Sequence, residues 1–135
     1  MYTMKTNALG VKDYQALRGT TNWNLVPDLQ VQKALEHDLF SVCLFSDRKA
    51  IGMGRVIGDG AIYFYIQDLI VHPEHQGKGV GTSLMNTIES FLDHRVQGYA
   101  FVGLMAAQGV EAFYKGFGYT KRADDGPGMF KVIQK

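Results

Sequence analysis

The sequence predicts a mixed α/β (α+β) domain whose central sheet is mostly antiparallel and carries helices on both faces. Extended apolar segments alternate with helical patterns in the second half of the chain. A Gly58-Asp59-Gly60 turn joins two of these segments, which is typical of an antiparallel hairpin. Apolar residues then recur every four positions from residue 80 onward, as in a helix that packs on a sheet. At 135 residues the chain is long enough to bury a core, and we expect one domain over residues 1–135.

The first forty residues are predicted to be mainly helical. A short strand is expected near Thr3–Asn7, followed by helices at Val11–Arg18 and Asp28–His37. The second helix is placed by Asp28, which directly follows Pro27 at a favourable helix start.

Three extended segments follow, at Phe40–Phe45, Ala50–Ile57 and Ala61–Val71. The last of them is rich in aromatic and β-branched residues, which favours a strand. Tyr63 and Tyr65 alternate with apolar residues there, so we expect the two tyrosines on one face of the sheet and their neighbours on the other.

The rest of the chain is predicted as helix, strand, helix and closing strands. The apolar stripe from Val80 to Val96 predicts an amphipathic helix. Tyr99–Met105 predicts another strand, and apolar residues at helical spacing predict a short helix over residues 110–117. Tyr119–Arg122 and Met129–Ile133 are expected to be the closing strands around the DDGPG turn.

Composition excludes several classes of protein. Hydrophobic residues make up 46% and charged residues 20%, with a net charge of +1, so neither a disordered chain nor a basic nucleic-acid-binding surface is indicated. No run approaches the ~18 apolar residues of a membrane span. The one cysteine, Cys43, lies in an apolar segment and is expected to be a buried, inert strand residue. We expect a cytoplasmic protein without nucleic-acid or membrane partners.

The run VHPEHQGKGVGTSLM, residues 71–85, places Gly77, Gly79 and Gly81 directly before the long predicted helix. A strand that leads through a glycine-rich turn into a helix start exposes free backbone N–H groups, and the helix dipole adds positive charge. This pattern favours a phosphate-bearing ligand. The alternative is that the glycines serve only a tight turn and close packing of helix on sheet.

Two nucleotide-binding motifs do not fit this run. A P-loop requires a glycine where His72 stands and a serine or threonine where Gly79 follows Lys78. The dinucleotide fingerprint requires G-x-G-x-x-G at the start of a βαβ unit, whereas the preceding strand here closes an antiparallel hairpin.

The run LIVHPEHQGKGVG resembles the acyl-CoA signature of the GNAT N-acetyltransferase superfamily, Q/R-x-x-G-x-G/A, at Gln76–Gly81. The run EAFYKGFGY, Glu111–Tyr119, is similar to a second family motif, with its tyrosine at Tyr114. The resemblance covers roughly residues 40–135. It implies a single GNAT-like domain in which the central strands Ala61–Val71 and Tyr99–Met105 splay apart.

The resemblance implies acetyl-CoA as co-substrate and no metal. Backbone groups of the strand end would line the pantetheine arm, and N–H groups of the glycine-rich run would cradle the pyrophosphate. The residues expected to contact the coenzyme are Leu69, Ile70, Val71, Gln76, Gly77, Lys78, Gly79, Val80, Gly81, Thr82 and Tyr114.

Acetyl transfer to an amine needs a polarised thioester carbonyl, a neutral amine and a proton donor for the departing thiolate. The family motif implies Tyr114 as that donor, although it lies on an apolar stripe where an aromatic is usually core. Asp68 is the candidate base, acting directly or through water, and ordered water alone is the alternative. Many relatives carry an asparagine seven residues before the tyrosine, where this chain has Ala107.

The acceptor site is predicted from three aromatic residues. Trp23 lies in a polar loop as either a lid over the acceptor or a cover of the sheet, and Tyr63 and Tyr65 are expected to face a cleft. Together with Asp68 they would suit a small cationic amine. His72 and the nearby His75 are expected in a solvated turn and not in a metal site.

The leading prediction is therefore an acetyl-CoA-dependent N-acetyltransferase that acts on a primary amine of a small molecule. One alternative is a non-catalytic acyl-CoA sensor or regulatory protein with the same fold. Another is an acetyltransferase for protein lysines or N-termini. Relatives commonly dimerise through the C-terminal strands, so both a monomer and a homodimer are open.

Overall fold

The computed structural model describes residues 2–135, which form two compact units divided after Leu104. The first unit contains five strands, three α-helices and a short 3₁₀ turn, and the second contains one short helix. The elements of the first unit are β1 (Tyr2–Thr6), α1 (Val11–Arg18), α2 (Asp28–His37), β2 (Phe40–Ser46), β3 (Lys49–Gly58), β4 (Tyr63–Val71), the 3₁₀ turn (Pro73–His75), α3 (Val80–Arg95) and β5 (Phe101–Leu104). The predicted bounds of α1 and α2 are confirmed, and the other predicted elements of this unit are confirmed with small shifts at their ends. One domain over residues 1–135 stays a prediction.

The five strands form one mixed sheet in the order β1-β2-β3-β4-β5. All neighbours are antiparallel except β4 and β5, which are parallel. The predicted hairpin between β3 and β4 is confirmed. Its turn is held by Asp59, whose Oδ1 accepts hydrogen bonds from three backbone N–H groups at 2.8–3.0 Å. These bonds lower the pKa of Asp59 because they stabilise its carboxylate.

Helices cover both faces of the sheet, as predicted. On one face Met53 belongs to a core cluster with Tyr14, Leu17 and Val31 from α1 and α2. On the other face α3 lies so close to β3 that a Cβ on Gly52 would approach Val80 to 2.9 Å. The glycines that interrupt the β3 pattern therefore make room for α3.

A β-bulge interrupts β4. Its pairing with β3 places two residues, Asp68 and Leu69, opposite Gly54. Asp68 takes the left-handed backbone conformation, with φ 58°, which aspartate tolerates better than most residues. The bulge reverses the alternation of side chains, so Ile66 lies on the α3 face whereas Ile70 joins the core under α1 and α2.

The pairing of β4 with β5 is short. It runs from Tyr63 opposite Phe101 to Ile66 opposite Leu104, where β5 ends. The last part of β4, residues 67–71, is therefore hydrogen-bonded to β3 but not to β5. This agrees with the predicted splaying of the two central strands.

The second unit, Met105–Lys135, contains α4 at Glu111–Lys115, which is shorter than the predicted helix. Gly116 ends it as the C-cap. Aromatic rings pack around it: Tyr114 lies 5.1 Å from Phe113 and 6.4 Å from Tyr119 between ring centroids.

The predicted closing strands at Tyr119–Arg122 and Met129–Ile133 are wrong. Within the described residues, positions 119–135 contain no strand. Apolar residues at consecutive positions do not define one buried face, and Met129 and Phe130 are both more than three-quarters exposed. Strand propensity without a pairing partner is insufficient to form a ladder.

None of the helices in residues 2–135 has the length and apolar character needed to cross a membrane.

Candidate functional site

The segment that follows β4 is tied back to the sheet by hydrogen bonds. The backbone N–H of His72 donates to the carbonyl of Ile51 at 2.7 Å, and Nε2 of Gln76 donates to the carbonyl of Val71 at 3.1 Å. Nδ1 of His72 also accepts from the backbone N–H of Glu74 at the start of the 3₁₀ turn. The chain therefore enters the glycine-rich run at a fixed place beside the end of β4.

The glycines of this run are required by backbone conformation. Gly77 and Gly79 have φ values of 75° and 82°, in the region that side-chain-bearing residues rarely adopt. A Cβ at either position would meet nothing within 4 Å, so packing against the protein does not explain them. Close helix–sheet packing is thus not supported at Gly77 or Gly79, whereas their left-handed conformation agrees with the tight-turn part of the alternative.

The start of α3 has no side-chain cap. Gly79 is the N-cap and supplies no side-chain hydrogen bond, and the first turn holds no acidic residue. The N–H groups of Val80, Gly81 and Thr82 have no intrahelical acceptor because they lie in the first turn. Free N–H groups at the positive end of a 16-residue helix are able to hold a phosphate or diphosphate, and the exposed Lys78 lies directly before Gly79.

A buried ionic cluster surrounds the bulge of β4. The Oδ2 atom of Asp68 accepts hydrogen bonds from Nη1 of Arg55 at 2.9 Å and from the hydroxyl of Tyr14 at 3.0 Å. Nη1 of Arg18 lies 3.6 Å from Oδ1. Arg55 is held from its other side by Oδ2 of Asp38 at 3.1 Å. Two arginines and two aspartates therefore balance their charges inside the fold.

Sequence reasoning named Asp68 but missed the residues around it, Tyr14, Arg18, Asp38 and Arg55. These residues come from α1, the end of α2 and β3, so sequence spacing does not connect them. One signal was present: Arg55 interrupts the apolar segment predicted as a strand, and a buried charge needs a partner of opposite sign.

Burial sets the protonation of the cluster's hydroxyl. It raises the pKa of Tyr14, and the nearby charge of Asp68 raises it further. The Tyr14 hydroxyl therefore stays protonated and acts as a donor to Asp68. Burial also raises the pKa of Asp38, an effect that the hydrogen bond from Arg55 opposes.

Arg18 connects this cluster to the loop between α1 and α2. Its Nε donates to the carbonyl of Asn24 at 3.0 Å, and its guanidinium carbon lies 5.4 Å from the ring centroid of Trp23. Trp23 is partly exposed and presents one face to Arg18. The structure thus links Trp23 to Asp68 through Arg18.

The two tyrosines predicted for the acceptor site lie on the half of β4 that pairs with β5. Tyr63 is exposed and packs beside Phe101, with 6.1 Å between ring centroids. Tyr65 is half-buried, and burial raises its pKa. Within residues 2–135 neither tyrosine makes a ring contact with Trp23, so the three aromatic residues do not form one stacked cluster.

Burial raises the pKa of two further residues named from the sequence, Tyr114 and Cys43. Tyr114 lies on α4 in the second unit, where burial raises its pKa and keeps the phenol protonated. Cys43 is fully buried on β2, as predicted, and burial raises the pKa of its thiol to about 12. Such a thiol is inert as a nucleophile at neutral pH.

Comparison with known proteins identifies the family. The chain matches the model of the acetyltransferase (GNAT) family over residues 11–119. It is 30% identical to a probable acetyltransferase of known structure from Staphylococcus aureus, with a TM-score of 0.91 over 98% of this chain and 100% of the other. A GNAT-family acetyltransferase from Streptococcus pneumoniae is 26% identical, with a TM-score of 0.82 over the full length of both chains. An uncharacterised N-acetyltransferase, ycf52, from Porphyra purpurea is 27% identical over 96% of this chain and 76% of its own length. The chain therefore belongs to the GNAT family and is an acyltransferase of the N-acetyltransferase type.

Proposed function

We propose that this protein transfers an acetyl group from acetyl-CoA to a primary amine of a small molecule, by direct attack of the amine on the thioester. One observation carries the proposal. The end of β4 is not paired with β5. It leads through Gly77 and Gly79, which have left-handed backbone conformations, to the start of α3, which has no side-chain cap. A strand edge and a helix start placed in succession suit a long ligand that ends in a diphosphate.

In this proposal the coenzyme follows the chain from β4 to α3. Backbone groups of Leu69, Ile70 and Val71 line the pantetheine arm. The N–H groups from Gly77 to Thr82 hold the diphosphate, and Lys78 adds a positive charge nearby. Gln76 contributes by anchoring the run to the carbonyl of Val71.

The reaction forms one C–N bond and breaks one C–S bond. The amine nitrogen attacks the thioester carbon, a backbone N–H group polarises the carbonyl oxygen, and CoA leaves as a thiolate. An amine that arrives as an ammonium loses one proton to Asp68, directly or through water, before it attacks. Its second proton leaves to solvent as the amide forms, and the thiolate takes a proton from the Tyr114 hydroxyl. Solvent then returns a proton to Tyr114 and removes the one on Asp68 before the next turnover. Deprotonating a lysine-like amine at neutral pH costs on the order of 4–5 kcal/mol, so a base in the site has a clear task. The role of Tyr114 is supported by its motif and by its protonated state.

The charge balance around Asp68 refines the acceptor class. Arg55 and Arg18 already neutralise the cluster, and Arg18 occupies one face of Trp23. These contacts do not favour a polycation. We therefore propose an amine with an apolar or aromatic body, contacting the exposed Trp23 and Tyr63 and the half-buried Tyr65.

The experiment measures the release of CoA thiol from acetyl-CoA with each member of a panel of small amines. Peptides are offered as acceptors in a separate assay, in which acetylated peptide is detected. CoA release that is stimulated by some amines of the panel and not by others supports the proposal. Tight acetyl-CoA binding with no release by any amine or peptide contradicts it in favour of an acyl-CoA sensor. Product on peptides alone contradicts the small-molecule acceptor in favour of a protein acetyltransferase. A cytoplasmic location and the monomeric or homodimeric state stay predictions.

A further inference from the structure

We infer that Tyr14 and Arg55 are positioning residues that clamp the Oδ2 atom of Asp68 and leave its Oδ1 atom as the proton acceptor. This inference rests on the proposed function, in which Asp68 takes the proton of the acceptor amine. The inference names Oδ1 as the oxygen that takes the proton, and Tyr14 and Arg55 as the residues that hold the other oxygen.

The two carboxylate oxygens of Asp68 have unequal surroundings. Oδ2 accepts two short hydrogen bonds, from Tyr14 at 3.0 Å and from Arg55 at 2.9 Å. Within residues 2–135, the contacts of Oδ1 are long: Nε2 of Gln67 lies at 3.5 Å and Nη1 of Arg18 at 3.6 Å. Donors at such distances bind weakly. Oδ1 is therefore the oxygen with capacity for a further hydrogen bond, from an ammonium group or from a water molecule that relays its proton.

The clamp is rigid because its members belong to different elements. Tyr14 comes from α1, Arg55 from β3 and Asp68 from β4. Arg55 cannot turn away without breaking its hydrogen bonds to Asp38 and to the carbonyl of Ala34, each 3.1 Å long. Rotation of the carboxylate is thus opposed from two directions.

The backbone of the bulge depends on the same contacts. Asp68 has φ 58°, a conformation that costs free energy and persists where surrounding contacts hold it. The residues directly after Asp68 are those proposed to line the pantetheine arm. The clamp therefore fixes the carboxylate and the adjacent backbone in one register.

Arg18 is the more exposed of the two arginines in the cluster. Its side chain is 17% exposed, compared with 8% for Arg55, and it also contacts the loop through Asn24 and Trp23. Arg18 also donates from Nη1 to the Tyr14 hydroxyl at 3.1 Å. An acceptor amine that reaches Oδ1 competes with Arg18, not with Tyr14 or Arg55.

The test is the pH dependence of kcat in the full chain. The same amine is used with every variant, so that a difference between their pH profiles comes from the enzyme and not from titration of the amine. Tyr14→Phe keeps the ring and removes one donor to the carboxylate. Hydrogen bonds to a carboxylate favour its charged form. Because this variant loses one of them, we expect the acidic limb of the kcat–pH profile to move to higher pH by about 1 unit. We expect kcat at neutral pH to fall several-fold. Arg55→Lys is the second variant and should move the limb in the same direction.

Tyr99→Phe is the matched control, since Tyr99 is exposed and lies outside the cluster. An acidic limb that stays in place in Tyr14→Phe, with only lower stability, would overturn the inference. Asp68→Asn separates this failure from failure of the proposed base. If Asp68→Asn keeps wild-type kcat and the same acidic limb, Asp68 is not the base and the proposed function loses that step. If the wild-type protein releases no CoA with any amine, the proposed function itself fails.

Discussion

The Nη1 atom of Arg55 lies 2.9 Å from Oδ2 of Asp68, and both side chains are almost completely excluded from solvent. Removing one partner of a buried pair leaves an uncompensated charge in the interior, which typically costs 3–5 kcal/mol. We therefore expect Arg55→Ala to lower the free energy of unfolding by about 3–5 kcal/mol. Urea denaturation monitored by circular dichroism measures this change.

The exposed pair between Lys49 and Glu74, 3.7 Å apart, is the control for this prediction. Both side chains are more than half exposed, so Lys49→Ala should cost at most about 1 kcal/mol. Equal losses in Arg55→Ala and Lys49→Ala would show that the buried cluster does not stabilise the fold.

Cys43 gives a prediction about alkaline stability. Its pKa is raised from 9.0 to about 12 by burial, followed by the charge of Asp13. Below pH 9 the thiol is protonated in both states, whereas between these values only the unfolded chain loses the proton. Stability should therefore fall as pH rises above 9, by at most ~1.4 kcal/mol per pH unit from this group.

Comparison of the wild type with Cys43→Ala isolates this contribution from other groups that titrate at high pH. The difference in unfolding free energy between the two proteins should shrink as pH rises above 9. A difference that stays constant as pH rises above 9 would contradict the prediction that burial keeps the Cys43 thiol protonated.

Gly79 gives a prediction about the glycine-rich run. Gly79→Ala introduces a Cβ at φ 82°, where a side chain costs roughly 1–2 kcal/mol through backbone strain. The variant relieves that strain by changing the start of α3, so we expect acetyl-CoA to bind about 10-fold more weakly, which corresponds to ~1.4 kcal/mol. Isothermal titration calorimetry measures this loss.

Gly128→Ala is the control, because a Cβ there meets nothing within 4 Å and the backbone is outside the left-handed region. It should leave the affinity for acetyl-CoA unchanged. Unchanged affinity in Gly79→Ala as well would mean that the conformation of the run does not matter for binding.

Tyr114→Phe tests the proposed proton donor. Loss of a general acid typically reduces the rate by about 100-fold or more, so kcat should fall by that order while acetyl-CoA affinity changes little. Steady-state kinetics of CoA release and calorimetry separate the two effects. Tyr99→Phe should behave as wild type, and a Tyr114→Phe variant with wild-type kcat would assign the phenol to packing alone.

Local patterns were sufficient to predict most elements of the first unit. The helices Val11–Arg18 and Asp28–His37 have the predicted bounds, and the start of the second was placed by a local signal, Asp28 directly after Pro27. The hairpin between β3 and β4 was found because the turn chemistry of Gly58-Asp59-Gly60 is also local.

The bulge at Asp68 and its partners could not be predicted in the same way. Tyr14 and Asp68 are 54 residues apart, and only the packing of α1 on the sheet brings them together. The alternation of β4 suggested a regular strand, whereas the bulge reverses the faces beyond it. The segment Met129–Ile133 shows the opposite error, since strand propensity was present but no pairing partner forms a ladder with it in the described residues.

NMR of the backbone amides in the glycine-rich run, recorded during titration with acetyl-CoA, tests whether the start of α3 holds the diphosphate. S-acetylpantetheine, which carries the thioester but no diphosphate, is the matched ligand. We expect saturable shifts of the Gly77, Gly79 and Thr82 amides with acetyl-CoA and no comparable shifts with S-acetylpantetheine. Absence of saturable shifts at these amides, or equal shifts with both ligands, would contradict a diphosphate site at the start of α3.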